Sequence, residues 1–421
     1  MALKNKLYIF VFMFGITGIF GVLEAGEQAL SLEQCIAIAL DQNPLLLSSV
    51  EQYKASLARI NKAKALPQPS LDIDSDLQPN LFNFKDSGES YIGFSQKIEF
   101  PGKRLLRGKI ASRESDEILS ELNLLKIDIA FQVKRAFFGL LLAQENIKYA
   151  QQDLELSEDF LKMAEHKQAA GDVAKVEVLR ARVEALKAAN AVRVAQNDNN
   201  LAAAMLNFLL GRKKYEPMEI RGKIKRSFVT LDVEELRQRA FSFRPEIKRI
   251  NFAIEKEALQ KEQAYLGYLP DFDIGISQHK LVGEQKTWDF TLSFPIPIFF
   301  WQPKKGEIAE AEASIESLKR EAEHLKNAIS LEVEEAYTNA LTASNQIKLF
   351  EEEILTQAEE VYNMFLFSFR EGEIGGIELI EARRTLIEAR KAYADALYNY
   401  NLMIAALEKS VGQSIQGASR D

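Results

Sequence analysis

In the second half of the chain, apolar side chains recur at Ile308, Ala311, Ile315, Leu318, Ala322, Leu325, Ile329, Val333, Ala336, Ala340, Ala343, Ile347, Phe350, Ile354, Ala358, Val361 and Phe365. The steps are three and four almost throughout, the spacing of a coiled-coil-like helical seam. The first half carries the same rhythm at Leu122, Leu125, Ile129, Val133, Ala136, Leu140, Ala143, Ile147, Ala150 and Leu154. After Pro101 and Pro303, no proline interrupts the chain until Gly171 and Gly372. About 65 helical residues at about 1.5 Å each reach about 100 Å, longer than a compact domain of this size. Such helices must lie side by side as a rod or a cylinder, and the many seam alanines permit close approach.

A second rhythm, of period two, occupies four short stretches: Ser70–Gln78, Ser90–Phe100, Asp271–His279 and Thr287–Phe300. Leu71, Ile73 and Leu77 alternate with Asp72, Asp74 and Asp76; Trp288, Phe290, Leu292, Phe294 and Ile296 alternate with Asp289, Thr291 and Ser293. This predicts strands with one apolar and one polar face. Their length suits either soluble hairpins or tilted membrane strands.

These elements recur at a nearly constant offset. Asn43-Pro44 and Arg244-Pro245, Gly171 and Gly372, and Gly211 and Gly412 are each 201 residues apart, and "GKIA" at Gly108 and "GEIA" at Gly306 are 198 apart. The plan is a duplication. Each copy has a first helix (Leu32–Leu66; Glu246–Leu269) ended by Pro67 or Pro270, then two strands, a very long helix, a glycine turn and a return helix of about 35–40 residues. The predicted layout is residues 1–25 as a leader, 26–212 as the first repeat, 213–242 as a connecting equatorial segment, 243–412 as the second repeat, and 413–421 as a tail. Strands gather at one end of the body and glycine turns at the other. Four strands cannot close a barrel, and open edges are excluded from hydrocarbon. If the strands cross a membrane, several chains must share one barrel.

"LDQNP" at Leu40–Pro44, "FSFRPEI" at Phe241–Ile247, the paired proline-then-strand entries and the two glycine turns together resemble the TolC family of outer-membrane efflux channels, over about Ser31 to Gly412. "QKIEFPGKRLLRGKIA" (Gln96–Ala111) is similar to the heavy-metal efflux subgroup typified by CzcC and CusC. The resemblance implies a mainly α fold with membrane β structure. In it a homotrimer forms a periplasmic helical tunnel and a shared twelve-stranded barrel in outer-membrane lipid. It implies a passive exit duct joined to a periplasmic adaptor (membrane fusion protein) and an inner-membrane pump of the RND type. The tip-turn residues Gly171, Asp172, Val173, Gly372, Glu373 and Ile374 match the family's adaptor-contact region. Glu177, Glu378 and Glu381 match its acidic pore-constriction pattern. Three symmetry copies of one glutamate would make a negative ring that favours cations, although a glutamate near a helix start also complements the dipole. Val173 and Ile374 stand where the family sometimes carries a basic gating residue.

Composition fits this picture. Only 21 glycines and 11 prolines in 421 residues favour long regular elements. Lys4 and Lys6, the apolar run Leu7–Leu23 and small residues at Ala25 and Gly26 read as a secretory signal cut near Ala25; a retained anchor is the alternative. Removing residues 1–25, with Lys4, Lys6 and Glu24, takes the formal charge from −8 to −9. An acidic chain without a basic cluster argues against nucleic acid. The one cysteine, Cys35, follows Leu-Glu-Gln rather than small residues, so it reads as a buried helix residue and not as a lipid attachment point. There is no phosphate loop and no HExxH. His166, His279 and His324 are far apart in the layout, so no enzyme, cofactor or metal site is expected. The alternatives left open are the outer-membrane channel of a type I protein secretion system and a soluble periplasmic coiled-coil adaptor.

Overall fold

A computed structural model of the chain describes residues 29–76, 87–213, 216–226, 232–296, 298–299 and 301–415. The leader and most of the tail lie outside these residues.

The elements run α1 (Leu32–Gln42), α2 (Pro44–Ala63), β1 (Ser70–Asp76), β2 (Glu89–Ile98), α3 (Lys103–Ala170) and α4 (Lys175–Leu209). They continue with α5 (Val233–Phe243), α6 (Pro245–Leu266), β3 (Phe272–Leu281), β4 (Thr287–Ser293), α7 (Trp301–Leu349), α8 (Leu355–Glu371) and α9 (Gly376–Val411). At 68 residues, α3 is about 100 Å long. A π-helical turn, Phe350–Ile354, joins α7 to α8. It was not legible in the seam, because the three-and-four steps continue through it. Among the described residues no helix is long and apolar enough to cross a membrane.

The long helices form a row. Helix α3 packs on α4 and α2 on one side and on α9 and α6 on the other; α9 and α6 in turn pack on α7, and α9 on α8. The first helix of the first copy, expected as a single element, is split in two. Asn43 leaves the helical conformation (φ −64°, ψ 121°), as the residue before a proline must. Its Oδ1 then accepts from the N–H groups of Leu45 (3.0 Å) and Leu46 (3.3 Å), capping α2. Its amide nitrogen donates to Leu209 O at the end of α4 (2.9 Å). Arg244 stands at the matching break in the second copy and donates to Ser410 O near the end of α9 (3.1 Å). Helices α4 and α2, and likewise α9 and α6, thus abut end to end. A Cβ on Gly211 would lie 2.5 Å from Gln42 O, so that joint needs a glycine for close approach as well as for its φ of +72°. The short helices α1 and α5 brace the row at this level. The segment expected to be a connection therefore contains α5, whose start is set by Asp232 accepting from Glu234 N (3.0 Å).

The four strands form one antiparallel sheet in the order β1-β2-β3-β4. The central pair runs from Glu89↔Leu281 to Ile98↔Phe272. β4 ends at Ser293, short of the expected Phe300, because Pro295 cannot continue the ladder. Three apolar clusters hold the body. Two lie at the joints, around Val133, Leu140 and Leu206 and around Val333, Ile347 and Leu407; the third lies at the turns, around Phe160, Phe369 and Leu386.

Candidate functional site: tips, charge node and strand face

Both glycine turns have the same geometry. Gly171 (φ +87°) and Gly372 (φ +82°) end α3 and α8 in the left-handed conformation. Asp172 N donates to Lys167 O and Glu373 N to Ser368 O, both at 2.9 Å. This six-to-one closure satisfies carbonyls at the helix end. The two turns lie side by side: Lys167 Nζ donates to Arg370 O (3.2 Å) and sits 5.6 Å above the Phe369 ring.

Gly171, Asp172, Gly372 and Glu373 are exposed. Val173 and Ile374 are half-buried, and Ile374 packs on the tip cluster. The exposed apolar residues stand three positions later, at Val176 and Ile377. They line a groove of about 420 Å³ between the starts of α4 and α9, together with Leu179, Val183, Arg180, Lys187 and Glu381.

The three glutamates differ in setting. Glu378 and Glu381 are exposed, Glu381 paired with Arg384 (3.0 Å). Glu177 lies in the seam between the two hairpins. Its Oε1 pairs with Arg180 (2.9 Å), and its Oε2 is buried without a hydrogen-bond partner. A Cβ on Gly376 would sit 2.8 Å from that Oε2 and 2.9 Å from Phe160 Cζ.

Above the tips is a charge node that the sequence reading missed. Arg383 of α9, only 5% exposed, reaches Glu184 of α4 (3.1 Å) and Asp153 of α3 (3.6 Å). Burial pushes Glu184 up, but Lys187, Arg383 and Arg384 together hold it below the usual carboxylate range. Its signal was a charged residue in an apolar slot, since Arg383 continues the buried series Gly376, Leu379, Ile380 into Leu386 and Ile387. Glu408, paired with Lys134 of α3, does the same higher in α9.

At the other end, the sheet has two contrasting faces. One carries Leu71, Ile73, Ile92, Phe94, Ile276, Trp288, Phe290 and Leu292, all more than half exposed. By the register, the other carries Asp72, Gly93, Ser277 and Asp289 in one row and Asp74, Tyr91, His279 and Thr287 in the next. His279 stacks on Tyr91 (4.1 Å) and lies 2.8 Å from Glu89. An apolar face turned to solvent and a polar face turned inward is the arrangement of a lipid-facing barrel wall. Where strands meet helices, the FPGKR stretch forms a clamp between the two copies. Asp271 accepts from Phe100 N (3.0 Å) and Lys103 Nζ (2.7 Å), and Arg107 pairs with Glu99.

This arrangement has relatives in fold and sequence. The profile of the family described as "Outer membrane efflux protein" matches residues 35–212 and again residues 236–413. The chain belongs to that family. It is 24% identical over 398 residues to the cobalt-zinc-cadmium resistance protein CzcC of Cupriavidus metallidurans, covering 91% of this chain and 90% of that protein. Nodulation protein T of Rhizobium leguminosarum bv. trifolii is 22% identical over 402 residues, covering 89% and 83%. Among solved structures, CusC superposes with a TM-score of 0.76 at 17% identity, covering 91% of this chain and 92% of that one. The open state of MtrE of Neisseria gonorrhoeae superposes with a TM-score of 0.76 at 17% identity, covering 93% and 91%.

The molecule is therefore an outer-membrane efflux channel with a periplasmic helical domain, and each chain contributes its four strands to a shared barrel. The family is one of transport channels and not of enzymes, and it implies a trimer that works with an adaptor and an inner-membrane pump. Among the described residues no group of His, Cys, Asp or Glu has the spacing to hold a metal ion.

Proposed function

We propose that this efflux channel is the passive exit duct for metal cations or small toxic compounds, fed by an RND-type pump. One observation carries the reading: likeness to CzcC runs through nine-tenths of both chains. On this reading residues 1–25 are a cleaved leader, and the repeats 26–212 and 243–412 flank the connecting segment 213–242. The strand faces meet outer-membrane lipid.

The adaptor docks at Gly171, Asp172, Val173, Gly372, Glu373 and Ile374. Glu378 and Glu381, exposed at the start of α9, form the acidic mouth. Glu177 sits behind them, between hairpins, and contributes negative potential more than direct contact.

The test is a deletion strain complemented with wild type or with Glu378→Gln/Glu381→Gln. Deletion is expected to lower tolerance to cobalt, zinc and cadmium, and the double variant to restore it only partly. Unchanged tolerance to metals and drugs, with loss of a secreted polypeptide, would move the assignment to type I protein secretion.

A further inference from the structure

The two copies of the duplicated plan differ at one boundary. Gly108 lies eight positions after Phe100 in "FPGKRLLRG", and Gly306 lies twelve positions after Phe294 in "FPIPIFFWQPKKG". The second copy thus carries four more residues where a strand leaves the membrane for the tunnel, and the extra chain is apolar. In the first copy the same exit is polar and tied down by the pairs of Lys103 with Asp271 and Arg107 with Glu99.

The longer exit is turned outward. Phe294, Ile296, Ile298 and Phe299 are 55%, 74%, 65% and 65% exposed. Ile298 N donates to Ile296 O (2.8 Å), and Ile298 and Phe299 present apolar side chains at a turn. Exposed turns are ordinarily polar, and a contiguous exposed apolar patch marks an interaction site. What covers this one follows from continuity. Trp288, Phe290 and Leu292 form the apolar face of β4, and Phe294 and Ile296 extend the same alternation past its last paired residue, Ser293. Lys305 follows within one turn of α7, a cation positioned to reach lipid phosphates, while its neighbour Lys304 pairs with Glu307 (2.7 Å).

We propose that the β4–α7 connection is an interfacial membrane anchor: Phe294, Ile296, Ile298 and Phe299 insert among phospholipid acyl chains of the periplasmic-side leaflet. The anchor fixes the depth of the barrel from one side of each protomer, and it needs no acylated cysteine. The inference rests on the reading of the four strands as a barrel wall.

The experiment uses the full channel reconstituted in bilayers, with single tryptophans as depth reporters. Both native tryptophans are first replaced (Trp288→Phe, Trp301→Phe), and Ile296→Trp or Phe299→Trp is then added. Fluorescence is compared in plain phospholipid and in phospholipid brominated on the acyl chain near the headgroup. At least a two-fold loss is expected at 296 and 299. A chain retaining only Trp288 tests the barrel wall itself, and Thr291→Trp on the polar face serves as the unquenched control.

Quenching at 288 but not at 296 or 299 overturns the anchor and leaves the barrel standing. No quenching at 288 overturns the barrel reading and the anchor with it. Cysteine labelling gives a second measurement that changes these exposed positions less. Ile296→Cys and Phe299→Cys, with Cys35 buried, are expected to resist a membrane-impermeant maleimide in membranes and to react in detergent. Equal reaction in both also overturns the proposal.

Discussion

At the residue scale, two glycines and one arginine show how differently the tip is held. Gly171 has open space around its missing Cβ, so Gly171→Ala meets only the strain of φ +87°, about 1–2 kcal/mol. Gly376 has ordinary helical backbone but a crowded site, where a Cβ would press on Phe160 and Glu177; Gly376→Ala is expected to cost about 1–3 kcal/mol. Hydrogen exchange at the tips separates the two. The first substitution should loosen only residues near 171, while the second should loosen α4 and α9 together. Arg383→Ala removes the cation between Asp153 and Glu184 and is expected to destabilise by about 3 kcal/mol, since a broken buried pair leaves charge uncompensated. Replacing all three with apolar residues of similar volume should recover most of that loss in thermal melts. Recovery failing would show that the node stabilises through more than its charges. The tip glycines were legible in the sequence because positive φ restricts residue choice locally. The role of Arg383 was not, because its partners are supplied by helices 199 and 230 residues away.

At the element scale, the strands and their junction carry the testable chemistry. Alternation placed all four strands to within a few residues and divided their faces correctly. It did not end β4, whose apolar rhythm runs on past the last ladder bond. The two-residue period gives a sharp contrast between adjacent positions. Phe290→Arg puts a charge on the lipid face and is expected to cost about 2–4 kcal/mol, whereas Thr291→Arg puts it in the lumen, preserving the fold and lowering the preference for cations. Trimer recovery and bilayer reversal potentials read the two effects separately. The Asp271 clamp has a pH signature. Burial alone would raise this carboxyl, but the Lys103 and Phe100 donors and the Lys97 charge hold it below the usual range. A depressed folded pKa stabilises fully above the unfolded value of about 3.9 and is lost as pH falls through the folded value. Wild type should therefore lose more stability below about pH 4 than Asp271→Asn does. Thermal melts at pH 6 and pH 3 check the sign.

At the scale of the whole molecule, the row of helices is unfinished. Helix α4 packs within the chain chiefly on α3, and α8 on α9, so each forms an edge. Both edges are apolar where a seam would be: Val176, Leu179, Val183, Leu186, Val194, Leu201, Met205 and Phe208 on α4, and Val361, Met364 and Phe367 on α8. From Val176 to Leu186 and from Leu201 to Phe208 the α4 positions keep the three-and-four spacing of a helix-packing stripe. The stripe was passed over in the sequence because the seam of α3 supplied a sufficient partner for one hairpin. Only the packing order shows that a second apolar face is left over. The two edges differ, so the contact between copies is head-to-tail and must close as a ring, as the family's trimer requires. Leu186, 67% exposed in the single chain, then becomes buried in the tunnel wall about 17 Å above the tip end of α4. Leu186→Asp should leave each chain helical, since no partner within the chain is lost, yet place a carboxylate in every interface of the ring. Light scattering in detergent is expected to show monomers with unchanged far-ultraviolet dichroism and no single-channel conductance. A variant that still forms conducting trimers would exclude α4 as the closing edge.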